Sequence, residues 1–125
     1  MSHPNKTKGD VYERALRDHL AAAGFHVERT RAGYARDHGD LHIGPRPGQG
    51  PAVVVQAKNV ARTDLAGWLA QLAQQTADAG AEHGVLIVKR RMTGPGRSYA
   101  VMELDAMLAL LRAAGYAAPD LEETA

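Results

Sequence analysis

The residues best suited to chemistry are Asp40 and, further along the chain, Gln56 and Lys58, which stand two apart. A carboxylate, an amide oxygen and an ammonium group suit a hard divalent cation. Mg²⁺ takes oxygen ligands and usually accepts only one or two from a protein. Such an ion polarises a phosphate and lowers the pKa of a bound water, while a nearby Lys orients that water or neutralises the oxyanion. The chemistry within reach is therefore phosphodiester hydrolysis. Glu13 is a fourth candidate. On a helical wheel it lies roughly 20° from Leu20 and 60° from Leu16. It sits on the shoulder of an apolar stripe, facing a neighbouring layer, where it could support a metal through water. The competing reading pairs it with Arg17, one helical turn on.

Elements that would position these residues follow from hydrophobic period. Tyr12, Leu16, Leu20 and Ala23 recur at helical spacing, which predicts a helix over 9–23 that stops at Gly24. Alternating character predicts a strand over 25–31, followed by a polar loop over 32–39. A short strand over 40–43 precedes a Gly/Pro-dense hairpin loop, 44–51. Residues 52–58 (AVVVQAK) read as a strand buried on both faces. Period-two geometry puts Gln56 and Lys58 on one face and Val53, Val55 and Ala57 on the other. If 40–43 pairs with this strand, Asp40 can share the face of Gln56. Thr63 or Asp64 caps the next helix, striped by Leu65, Trp68, Leu69, Leu72, Thr76 and Ala79. Strands over 85–88 and 98–104 flank a loop at 91–97. Asp105 is expected to cap a last helix bearing Met107, Leu108, Leu110 and Leu111. The order is α-β-β-β-α-β-β-α: an antiparallel meander, then a crossover joining two parallel strands in a mixed five-stranded sheet flanked by helices.

The length of 125 residues suits one domain over 1–125, with tails at about 1–7 and 117–125. The absence of cysteine excludes disulfides and thiolate metal sites. No apolar run approaches the roughly 20 residues of a membrane span. A net charge of +1 is too mild to argue for a nucleic-acid partner from bulk charge. Local basic clusters are more informative: Arg29, Arg31 and Arg36 before the chemical residues, and Lys89, Arg90 and Arg91 after a strand. Each cluster is as compatible with a solvated surface as with phosphate contacts.

A resemblance covers roughly residues 8–88. KGDVYERAL, AAGFHVERTRAG, GDLHI and VVVQAKN are similar, in order, to the motifs of PD-(D/E)XK nucleases. Within that superfamily the chain resembles archaeal-type Holliday junction resolvases and small phage resolvase-like nucleases. The resemblance implies a restriction-endonuclease-like α/β fold and a Mg²⁺- (or Mn²⁺-) dependent endonuclease. Catalytic residues would be Glu13, Asp40, Gln56 and Lys58, with Gln71 supporting. Asp40, Gln56, the Ala57 carbonyl and Glu13 would serve the metal. Lys8, Arg29, Arg31, Tyr34, Arg36, Lys89, Arg90 and Arg91 would contact DNA, branched DNA being the form that the resolvase resemblance implies. A homodimer working in a bacterial cytoplasm, or a phage protein in its host's cytoplasm, is implied too. The chain departs from the usual motif at Gln56, where an acid is the norm, which removes one negative charge. It also has no Ser in Ala32-Gly33-Tyr34.

Other readings stay open at this level. His38, Asp40 and His42 alternate and would share a face if extended, a possible transition-metal site. Trp68 suits core packing better than base stacking. The enzyme could act on duplex rather than branched DNA, or the chain could be a DNA-binding module weakened by Gln56.

Overall fold

The computed structural model describes residues 4–30, 39–44 and 50–118, with side chains described from Lys8 onward. The expected element order is present. Helix α1 (Pro4–Ala22) is followed by strands β1 (His26–Arg29), β2 (Leu41–Gly44) and β3 (Val53–Lys58). Helix α2 (Leu65–Ala79), strand β4 (His83–Val88), a 3₁₀ turn (Pro95–Arg97), strand β5 (Tyr99–Val101) and helix α3 (Leu104–Ala113) complete it. The strands lie in sequence order across one sheet. β1, β2 and β3 form an antiparallel meander, β3 and β4 run parallel, and β4 and β5 are antiparallel.

The Val-rich strand β3 explains the layering. Val54 and Val55 are adjacent and both fully buried, which requires cover on both faces of the sheet. On one face Val55 packs with Tyr12 and Leu16 of α1 and with Leu41. On the other, Val54 packs with Leu72 of α2 and with Leu86. Each such side chain contributes about 1.5–3 kcal/mol through burial. Asp64 caps α2 by accepting from the Gly67 amide, and Gly80 ends it in a left-handed conformation. The Tyr12 hydroxyl donates to Ser98 Oγ at 2.6 Å and ties α1 to the start of β5.

Several boundaries differ from expectation, and in the strands tertiary pairing overrides local pattern. α1 begins at Pro4, inside the expected tail. β1 is shorter, and Phe25 is exposed. β4 begins two residues early because His83 finds a parallel partner in Val53. β5 spans only Tyr99–Val101, so α3 starts at Leu104 with Glu103 at its cap position, and Asp105 falls in the first turn instead of capping. The apolar side chains Met107, Leu108, Leu110 and Leu111 do not enter the core; all four are exposed.

Candidate active site

The chemical residues gather where β2 and β3 part. Their last paired residues are Leu41 and Val55. Just beyond, the Asp40 amide donates to the Val55 carbonyl at 3.0 Å. The Asp40 carboxylate then accepts from the Ala57 amide at 2.8 Å. The side chain thus takes the place of the strand that has peeled away. The N–H and C=O of one strand residue leave on the same edge, so the Ala57 carbonyl shares the edge on which Asp40 sits. Gly39 makes this turn possible. Its φ is +88°, and a Cβ there would lie 2.5 Å from Val54 Cγ1. Thr30 Oγ1 donates to the Gly39 carbonyl at 2.6 Å and fixes the approach. Gly39→Ala should therefore cost about 2 kcal/mol or more, through both strain and overlap. Urea denaturation measures this, and a wild-type midpoint would contradict it.

Glu13 reaches the same place from α1. Burial raises its pKa first, and the neighbouring Asp40 carboxylate raises it further; the Arg29 hydrogen bond opposes both. Arg29 Nη2 donates to Glu13 Oε2 at 2.9 Å and also approaches Asp10 at 3.8 Å. The local pairing of Glu13 with Arg17 does not form, and Arg17 instead meets Asp18. Arg29, expected on DNA, is held by carboxylates of α1.

Gln56 and Lys58 point toward α2, as their shared parity requires. Gln56 is 3% exposed. Its Nε2 donates to Gln71 Oε1 at 2.8 Å, while its Oε1 is buried with no hydrogen-bond partner. Lys58 Nζ stands 5.4 Å from the centroid of the Trp68 ring, a cation–π contact that holds the ammonium group. Two groupings result. Glu13, Arg29 and Asp40 lie toward α1; Gln56, Gln71, Lys58 and Trp68 lie toward α2. The Ala57 peptide, bonded to Asp40, stands between them.

A divalent cation fits this donor set. The Asp40 carboxylate adds to the cost of ionising Glu13, which a cation relieves. An orphaned buried acceptor such as Gln56 Oε1 has the same need. Both donor types are oxygen, as Mg²⁺ or Mn²⁺ prefers. The alternative site is less complete: His42 pairs across the strands with Glu28 and Val54, and His38 lies outside the described residues. Among the described residues, no group of three or more His, Cys, Asp or Glu side chains is placed to hold a metal.

Of the expected DNA contacts, Arg31, Tyr34 and Arg36 lie outside the described residues. Lys8, Lys89, Arg90 and Arg91 line a cleft of about 910 Å³ at the end of β4. Two residues were missed by sequence reasoning. Gln75 is 2% exposed and lies against Gly39, where an added Cβ would meet its Oε1 at 3.6 Å. Its position one turn after Gln71 was the available signal. Trp68 was assigned to the core, and it does pack there, but it also carries Lys58.

A family model described as a restriction endonuclease, of the Mrr catalytic-domain type, matches residues 5–113. Among solved structures, the chain is similar to that of Archaeoglobus fulgidus Hjc, a Holliday junction resolvase from an archaeal hyperthermophile. The identity is 22% and the TM-score 0.50, covering 89% of this chain and 98% of that one. This likeness is one of fold. A search of curated protein sequences found no match. No helix among the described residues is long and apolar enough to cross a membrane.

Proposed function

The chain belongs to the restriction endonuclease family, and from that premise we propose that it is a Mg²⁺- or Mn²⁺-dependent DNA endonuclease, resolvase-like in its substrate. The observation that carries the reading is the Asp40 carboxylate on the Ala57 amide, with Glu13 beside it. Asp40 and the Ala57 carbonyl would hold the metal at the edge of β3, with Glu13 supporting it through water from the α1 side and Gln56 Oε1 reaching it from the α2 side. When bound, the ion supplies charge neutralisation at the phosphate and activation of water. The Ala57 amide orients Asp40, and Arg29 orients Glu13. Gln71 accepts from the Gln56 amide nitrogen and so leaves the Gln56 oxygen as the unpartnered acceptor. Lys58, braced by Trp68, presents its ammonium group to the attacking water and the developing negative charge.

The branched-DNA assignment rests on the fold shared with the archaeal resolvase. The family description favours duplex DNA as a second reading. A four-way junction, a duplex and a single strand compared under matched Mg²⁺ decide between them. The junction is expected to be cut fastest. Equal rates on all three would remove the resolvase reading, and a preference for duplex would establish the second.

Helix α3 supports the homodimer. Its small residues Ala106 and Ala109 face a groove shared with Leu69 and Leu72. Its larger residues Leu104, Met107 and Leu111 stay exposed and share a face at helical spacing. Two copies of α3 laid antiparallel about a two-fold axis would set Leu104 on Leu111, with Met107 of each copy between them. Leu104→Asp and Leu111→Asp should each weaken the dimer about 10-fold or more, because the contact would bury an unpaired charge. Both positions are exposed in the single chain, so the variants should fold. Sedimentation equilibrium reads this, and variants that associate as tightly as wild type would rule out the α3 interface.

A further inference from the structure

The cleft of about 910 Å³ has a composition that the hydrolytic residues do not explain. Lys8, Lys89, Arg90 and Arg91 contribute four cations, and no acidic residue lines it among those described. Between them lie Val60 and Tyr99, 54% and 55% exposed. An apolar floor with an exposed ring and a basic rim suits a ligand that has a flat, weakly polar face and a polyanionic tail. A nucleotide is that ligand, and the volume lies within the usual range for small-molecule sites.

Sheet register relates this cleft to the proposed chemistry. Lys58 pairs with Val88 across β3 and β4, and Val88 pairs with Tyr99 across β4 and β5. Paired residues share a face, so Lys58, Val88 and Tyr99 form one row, on the side covered by α2. Two strand spacings, about 9.6 Å, separate the backbones of Lys58 and Tyr99. A strand whose phosphate lies at Lys58 would therefore bring a neighbouring nucleotide to Tyr99. Lys89 to Arg91 leave the sheet directly after Val88 and can follow that strand's phosphates.

We propose that this cleft binds an unpaired nucleotide of the DNA strand being cut, stacking its base on Tyr99 and holding its phosphates with Lys8, Lys89, Arg90 and Arg91. The inference rests on the nuclease reading and adds to it the form of the substrate. A base inside a duplex has both faces covered by its neighbours. Only a base at a junction, a flap or a single strand can offer a face to the ring.

The test measures binding in EDTA, so that cleavage does not interfere. A single-stranded oligonucleotide, a flapped duplex and a fully paired duplex are each titrated against wild type, Tyr99→Phe and Tyr99→Leu. Tyr99→Leu should weaken single-strand and flap binding by roughly 5- to 100-fold and change duplex binding less than about two-fold. Tyr99→Phe should bind as wild type does. 2-Aminopurine at the unpaired position should be quenched by wild type and not by Tyr99→Leu. Tyr99 is exposed, so both variants should fold, and circular dichroism checks this. Equal losses on all three DNAs, or no loss on any, would overturn the assignment. Cleavage is scored separately with Mg²⁺. A protein that binds and stacks but never cleaves refutes the nuclease reading alone; one that cleaves while single-strand binding ignores Tyr99→Leu refutes the cleft alone.

Discussion

Asp40→Asn will abolish cleavage, by on the order of 10³-fold or more, without loss of stability. An Asn oxygen can still accept from the Ala57 amide, so the contact that shapes the turn survives. What disappears is the charge that would attract the metal, together with the repulsion on Glu13. The substitution should therefore leave the melting temperature unchanged or higher. The effect on pH dependence has a definite sign. In wild type the Glu13 carboxyl has a raised pKa, so the folded state holds its proton more tightly than the unfolded state does. Stability thus falls as pH rises from the ordinary Glu range through that raised value. Removing the Asp40 charge should shrink this fall, though burial of Glu13 will keep part of it. Lys58→Ala should match the loss of cleavage, since its ammonium group has no substitute nearby, while binding DNA almost normally. Cleavage within about 10-fold of wild type in either variant would remove that residue from the mechanism.

Gln56→Glu should make the metal-free protein less stable by about 2–4 kcal/mol. The side chain is almost wholly buried, and a carboxylate there loses the donor that now meets Gln71. Reorienting the Gln71 amide can restore a hydrogen bond but cannot hydrate the charge. Mg²⁺ should reverse the deficit, because the added negative charge joins a site already made of oxygen donors. The increase in melting temperature with Mg²⁺ should accordingly be larger for the variant than for wild type. Equal increases would mean that position 56 does not touch the metal. A variant as stable as wild type without metal would mean that Gln56 Oε1 is not the buried, unpartnered acceptor described above. With both outcomes met, an amide in place of the usual acid would be a trade: weaker metal affinity in return for a core that folds without metal.

Much of the fold was legible because period is local. The β-branched run in AVVVQAK predicted burial of β3 on both faces, and period two placed Gln56 and Lys58 together. Helical spacing announced α1 and α2, and Asp64 and Gly80 marked the limits of α2. The residue types needed for metal-assisted hydrolysis could also be read from the chain. Where those residues point could not, because it depends on contacts between distant segments. Glu13 found Arg29 sixteen residues away, not its helical neighbour Arg17. Asp40 turned onto the Ala57 amide because β2 leaves β3 there, an event of register that no window around Asp40 reveals. Trp68 came to lie beneath Lys58 only after α2 packed on the sheet. The leucines of α3 show the limit most clearly. Their spacing specifies an amphipathic helix, but which surface covers an apolar face is decided by what else is folded against it. Sequence by itself determined the elements and the donor chemistry. Tertiary structure alone decided which donors meet, because strand register and layer packing join residues whose separation in the chain carries no local signal.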